Sequence, residues 1–69
     1  MLRDKPRVSD LVVIKPLTLT VSGEEVGGLF CVVTAVLDHH LLKLEHTSNR
    51  ADIIVWSWNV TVKYRPNYR

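Results

Sequence analysis

The chain has 69 residues, of which 46% are hydrophobic and 23% are charged, and its formal net charge is +2. This length fits one domain, residues 1–69, with a small core, since a chain this short buries only about 60% of the surface that its unfolded form exposes. The composition excludes a mainly disordered chain, because it holds enough apolar surface to offset the entropy of folding.

One cysteine and short apolar segments limit the class of protein further. Cys31 has no partner for an internal disulfide and cannot form a four-ligand zinc site with other cysteines. The longest purely apolar run, residues 29–33, is far shorter than the roughly 18 residues of a membrane-spanning helix, and no apolar segment follows the first charged residues. We expect a soluble intracellular protein with no membrane association, located in the host cytoplasm or the virion if it comes from a phage.

The first half of the chain shows two strand patterns separated by a turn. Residues 11–14 are apolar, and residues 17–21 alternate leucine or valine with threonine beyond Pro16, so both predict strand. The turn follows at residues 22–25, where Gly23 can take a positive φ. Residues 26–37 are apolar on both faces and rich in valine. This predicts a central strand, or a long bent strand shared by two packed sheets, rather than a helix.

The second half shows two more patterns with a period of two. After a tight turn at Asp38 and His39, residues 40–46 predict a half-exposed strand, followed by a polar loop at residues 47–52. The last pattern predicts one packed face, formed by Ile54, Trp56, Trp58, Val60, Val62 and Tyr64. Eleven extended residues would span roughly 36 Å, so we expect a bend near residues 57–59. The predicted core consists of Val32, Val33, Trp58, Val60 and Val62.

These elements predict an all-β fold, a five-stranded small barrel with no helix longer than about one turn. The order of elements resembles the SH3-like small barrels, with residues 11–14 as first strand, residues 28–33 before a hairpin, and residues 58–62 as the closing segment. Gly28 comes directly before the valine-rich strand, and in this the chain is also similar to the KOW-type barrels of translation and transcription proteins, in which a glycine precedes such a strand. That likeness implies RNA binding, but Glu24 and Glu25 stand where KOW-type barrels often carry basic residues.

No residue pattern indicates catalysis, a cofactor or a small-molecule substrate. Cys31 lies in a valine-rich strand, where burial disfavours the reactive thiolate. His40 and His46 share a predicted face but lie about 20 Å apart along one strand, too far to bind the same ion. We therefore expect no catalytic, cofactor-binding or metal-binding residues, and we interpret the histidines as surface or turn residues, with metal binding or partner contact as alternatives.

Positive charge is concentrated at the two ends of the chain. Residues 1–7 and 63–69 together carry +5, and residues 8–62 carry −3. In an SH3-like barrel the first and last strands lie close together, so the ends would form one cationic patch; the alternative is solvated, flexible termini at about residues 1–8 and 65–69. The candidate partner-binding residues are Arg3, Lys5, Arg7, Lys63, Tyr64, Arg65, Tyr68 and Arg69, together with Trp56.

Two functional hypotheses follow. The first is a non-enzymatic interaction or assembly module that binds a protein partner or itself, for which a phage-type accessory or structural subunit is one example. The second is a nucleic-acid-binding barrel that uses the basic termini and aromatic residues. The acidic middle of the chain favours the first hypothesis.

Overall fold

The computed structural model describes residues 5–66 and contains five β-strands in one antiparallel sheet. The strands are β1 (Leu11–Ile14), β2 (Phe30–Val36), β3 (Leu41–His46), β4 (Asp52–Trp56) and β5 (Val60–Tyr64). Their order across the sheet is β4-β3-β2-β1-β5, with β2 central as predicted. Within this part of the chain the only helical element is a 3-10 turn, Ser57–Asn59, so the predicted all-β class is confirmed. No helix in residues 5–66 is long and apolar enough to cross a bilayer.

The sheet curls around a single core. Its two edge strands, β4 and β5, are joined by only the three residues of the 3-10 turn, so the edges approach each other at that end. Every strand contributes to the buried cluster, which consists of Val12, Ile14, Val26, Cys31, Val33, Leu42, Leu44, Ile53, Val55 and Val60. One face of the sheet is therefore buried and the other faces outward.

The predicted core is correct in part. Val33 and Val60 are buried, and Val32 and Val62 are half-buried. Trp58 was wrongly predicted as a core residue, because 55% of its surface is exposed.

The packed face predicted for the last segment is wrong within β4. Ile53 and Val55 point into the core, whereas Trp56 faces outward. The alternation continues only from Val60 in β5, because the intervening 3-10 turn changes the direction of the side chains. The bend expected at residues 57–59 is confirmed, but one uninterrupted face across it does not exist.

The strand predicted at residues 17–21 does not form. Leu17 takes a left-handed backbone conformation with φ 64° directly after Pro16, which has no N–H to donate to a ladder. Thr18 is buried while Leu17 is exposed, and a single bridge between Leu19 and Glu25 is the only sheet pairing in this loop. The positive φ predicted for Gly23 is confirmed at 97°.

Candidate functional site

Four aromatic rings form a continuous exposed column, which we call the aromatic ridge and which consists of His39, His40, Trp58 and Trp56. The indoles of Trp56 and Trp58 stack with parallel planes, 1° apart in orientation and 5.2 Å between centroids. The ring of His40 lies tilted against Trp58 at 5.5 Å, and His39 lies 6.2 Å from His40. Trp56 and Trp58 are 41% and 55% exposed, so the ridge holds apolar area outside the core.

The local backbone explains why both tryptophans face the solvent. Trp56 is the last residue of β4 and its neighbour Val55 occupies the core, so the pleat directs Trp56 outward. The main-chain N–H of Ser57 then donates to the carbonyl of His40 at 2.6 Å, which holds the 3-10 turn against the β2–β3 turn. This contact brings His40 beside Trp58.

Apolar side chains extend the ridge across the end of the sheet. Leu41 pairs directly with Trp56 across β3 and β4, so the two side chains share the outer face. The N–H of Leu37 donates to the carbonyl of Leu41, and Leu37 is half-exposed. The nearest outward cation on β3, Lys43, lies 3.9 Å from the carboxylate of Asp52. The ridge therefore combines two tryptophans and two histidines with neighbouring leucines, and none of its four residues is a lysine or an arginine.

The second candidate region is where the two ends of the described chain meet. Arg65 donates from Nε to Oδ1 of Asp10 at 3.0 Å and from its terminal nitrogen to Oδ2 at 2.8 Å. The same guanidinium donates to the carbonyl of Lys5 at 3.0 Å, and the backbone N–H of Arg7 donates to Asp10 at 2.8 Å. The prediction that the ends lie close together therefore holds for residues 5–7 and 65.

Arg65 differs from the exposed contact residue that the sequence predicts. Its side chain is only 17% exposed and that of Asp10 is 1% exposed, so the pair is a structural contact. Burial raises the pKa of Asp10, but the hydrogen bonds from Arg65 and from the Arg7 backbone, with the charges of both arginines, outweigh it and hold that pKa below its ordinary value.

The other predicted contact residues have varied positions. Lys5, Arg7, Lys63 and Tyr64 are exposed, as is Trp56, which lies on the ridge and not near the chain ends. The remaining predicted contacts lie outside the described residues; they are Arg3, Tyr68 and Arg69. Tyr64 pairs with Leu11 at the outer face of the sheet.

Burial disfavours reaction at Cys31, the residue considered as a nucleophile. Cys31 is fully buried, and burial raises the pKa of its thiol to about 11, which removes the nucleophilic thiolate at neutral pH. His46 lies beside the side chain of Asn49, 3.1 Å from its Oδ1. Residues 5–66 contain no group of three or more His, Cys, Asp or Glu side chains placed to hold a metal ion.

Sequence reasoning missed the ridge as a unit. The sequence predicts Trp56 as a contact residue and Trp58 as a core residue, and it predicts His39 and His40 as surface or turn residues. The available signal was the position of Trp58 inside the predicted bend, where a strand's alternation no longer determines which way a side chain points.

Comparison with known proteins gives no family model, no curated protein and no solved structure that matches this chain. The chain's own surface is therefore the basis for inferring its function.

Proposed function

We propose that this domain is a non-enzymatic interaction or assembly module that binds a protein partner through the aromatic ridge. The stacked, exposed pair Trp56 and Trp58 carries the proposal. Exposing two indoles leaves a large apolar area in water without contributing to the core. Tryptophan is also the residue type most enriched at the energetic centres of protein interfaces.

The charges around the ridge favour a protein partner over a nucleic acid. Binding to phosphates is strongest where lysine or arginine side chains accompany the stacking rings, and none of the four ridge residues is a lysine or an arginine. The apolar side chains of Leu37 and Leu41 widen the ridge instead, which favours an apolar counterpart such as a groove or an extended peptide.

The strand order and the three-residue link between β4 and β5 support an SH3-like barrel as the finer description of the fold. Small barrels of this kind carry many unrelated functions, so this description does not select among them. A phage-type accessory or structural subunit is one context in which such a module would serve.

The test identifies a partner and then measures affinities. A photoreactive phenylalanine analogue at position 56 cross-links proteins in a lysate of the source cells, and the captured protein is purified for calorimetry. We expect Trp58→Ala to weaken its binding by about thirtyfold or more, as for an interface hot spot. Tyr64→Ala, which removes an exposed aromatic ring away from the ridge, is the matched control and leaves the affinity unchanged. Equal affinities for Trp58→Ala and the wild type would rule the ridge out.

A second candidate is nucleic-acid binding at the chain ends, favoured by the contact of Arg65 with Lys5. This contact brings Lys5 and Arg7 towards the end of β5, which carries Lys63. A triple alanine variant at these three positions, with Arg65 retained for stability, is titrated with a single-stranded oligonucleotide of mixed sequence. Each lost phosphate contact reduces the salt slope by about one. An unchanged slope rejects this candidate.

A further inference from the structure

The outer face of the sheet carries a second apolar surface, distant in register from the aromatic ridge. Val13 pairs with Phe30 and Leu11 pairs with Val32 across β1 and β2, so the four side chains share the outward face. Tyr64 of β5 pairs with Leu11 on the same face. Phe30 is 49% exposed and Tyr64 is 60% exposed. We call these five residues the outer strip.

Opposite charges border the outer strip on its two sides. Glu45 of β3 pairs with Val32 of β2, which places a carboxylate at the β3 side of the strip. Lys63 precedes Tyr64 at the irregular end of β5 and is exposed, which places a cation at the β5 side of the strip. One row across four strands therefore begins at acidic Glu45, continues through apolar Val32 and Leu11, and ends at Tyr64 of β5, next to the cation of Lys63.

A groove lies at the acidic side of the row. It has a volume of about 420 Å³, and its lining residues are Val32, Glu45, His46, Thr47 and Arg50. Arg50 lies 3.9 Å from Glu45, but its side chain is 84% exposed. An ion pair this exposed is weak and leaves the Glu45 carboxylate available for a second cation.

We propose that the outer strip binds a second copy of this chain, in a dimer whose two-fold axis runs parallel to the strands. Such an axis reverses left and right, so the β5 side of each copy covers the β3 side of the other. Lys63 of each copy then faces Glu45 of the other, and Tyr64 lies over the groove beside Val32. A two-fold axis across the strands would instead place Glu45 against Glu45, so the charges select the first orientation.

This proposal is independent of the aromatic ridge, because the dimer leaves Trp56 and Trp58 uncovered. The two sheets would pack face to face about 10 Å apart, with the outer strip at the centre and charges at the rim. The acidic middle and the basic C-terminal end of the sequence then neutralise each other between copies.

Sedimentation equilibrium of the wild type and charge-reversed variants tests the dimer. We expect the wild type to dimerise measurably below about 1 mM. Glu45→Lys alone and Lys63→Glu alone weaken self-association by about tenfold or more, because each variant brings like charges together at both rims. Mixing the two variants restores a heterodimer, since both rim contacts again join opposite charges.

The controls separate dimerisation from folding and from the ridge. The double variant Glu45→Lys with Lys63→Glu restores the homodimer, and thermal melts check that each single variant remains folded. Phe30→Ser places a polar side chain at the centre of the strip and abolishes dimerisation, whereas Trp58→Ala leaves the dimerisation unchanged. A wild type that is monomeric throughout this range, or a mixture that fails to associate more tightly than its components, would overturn the proposal.

Discussion

Arg65 donates hydrogen bonds to both carboxylate oxygens of Asp10, a residue 55 positions earlier in the chain. Asp10 sits at the start of β1, and Arg65 directly follows β5, so the pair ties the edge strand to its neighbour beyond the last ladder contact. Asp10 also accepts from the backbone of Arg7, so its buried carboxylate is satisfied by contacts from both ends of the chain.

Removing Arg65 is expected to destabilise the domain. Arg65→Ala leaves the carboxylate of Asp10 buried without its main partner, and breaking a buried pair in this way costs about 3 kcal/mol. Lys63→Ala removes an exposed cation from the adjoining strand β5 and is expected to cost less than about 0.5 kcal/mol. Urea unfolding of both variants gives the comparison. Equal destabilisation would show that the ion pair contributes nothing beyond net charge.

Asp10 is expected to make the domain sensitive to acid. In the folded state its pKa lies below the ordinary value of 3.8, so folding stabilises the ionised carboxylate relative to the protonated carboxyl group. The resulting stability is fully present above about pH 5 and is lost as the pH falls through 3.8 and then through the lower folded pKa. Urea midpoints between pH 7 and pH 2 measure it. In Asp10→Asn we expect lower stability at pH 7 and a shallower decline with acid, and an unchanged decline would contradict this assignment.

The direction of the side chains in β4 and the following 3-10 turn can be tested by two truncations. Ile53→Ala opens a cavity in the core and is expected to cost about 2–4 kcal/mol. Trp58→Ala removes a larger side chain, yet it is expected to cost less than about 1.5 kcal/mol because the indole is half exposed and packs against the exposed rings of Trp56 and His40. If Trp58→Ala were the more destabilising change, the packed face first predicted from the sequence would be the correct one.

The sequence predicts those strands whose alternation continues without interruption. Leu42 and Leu44 in β3 are buried as the predicted period of two requires, and the apolar residues 11–14 form the predicted first strand. The same rule fails at Thr18 and at Ile53, because a proline in one case and a 3-10 turn in the other change which face is buried. The alternation of apolar and polar residues indicates which side chains share a face only within one unbroken strand.

The candidate sites were less predictable than the strands. Trp56 could be selected as an exposed aromatic residue, but its stacking with Trp58 depends on the hydrogen bond from Ser57 to His40, which joins two separate turns. The structural role of Arg65 depends on a partner 55 residues away. Neither contact leaves a local pattern in the sequence.

Cys31 is expected to react slowly with thiol reagents while the protein is folded. Its side chain is inaccessible, and burial raises its pKa from 9.0 to about 11, so the thiolate fraction at pH 8 falls about a hundredfold. The rate with a disulfide reagent is compared in native buffer and in concentrated urea. A native rate within about tenfold of the unfolded rate, which is the range expected if Cys31 were accessible, would contradict its placement in the core.

Gly27 is expected to be the glycine least tolerant of alanine, because a Cβ there would lie 2.6 Å from the backbone N of Leu17 and 2.9 Å from the carbonyl oxygen of Lys15. Backbone atoms cannot move aside as the end of a flexible side chain can, so the chain around Gly27 must shift as a whole away from residues 15–17. We expect Gly27→Ala to destabilise the domain by about 2 kcal/mol or more, in the range of overpacking in a filled interior.

Gly23→Ala is the matched control. The φ of 97° at Gly23 is strained for alanine, but no atom lies within 4 Å of the added Cβ. The cost of this substitution is therefore limited to about 1 kcal/mol of backbone strain. Thermal unfolding of the two variants measures the difference, and a Gly27→Ala protein as stable as Gly23→Ala would show that Gly27 does not approach the backbone of residues 15–17 so closely.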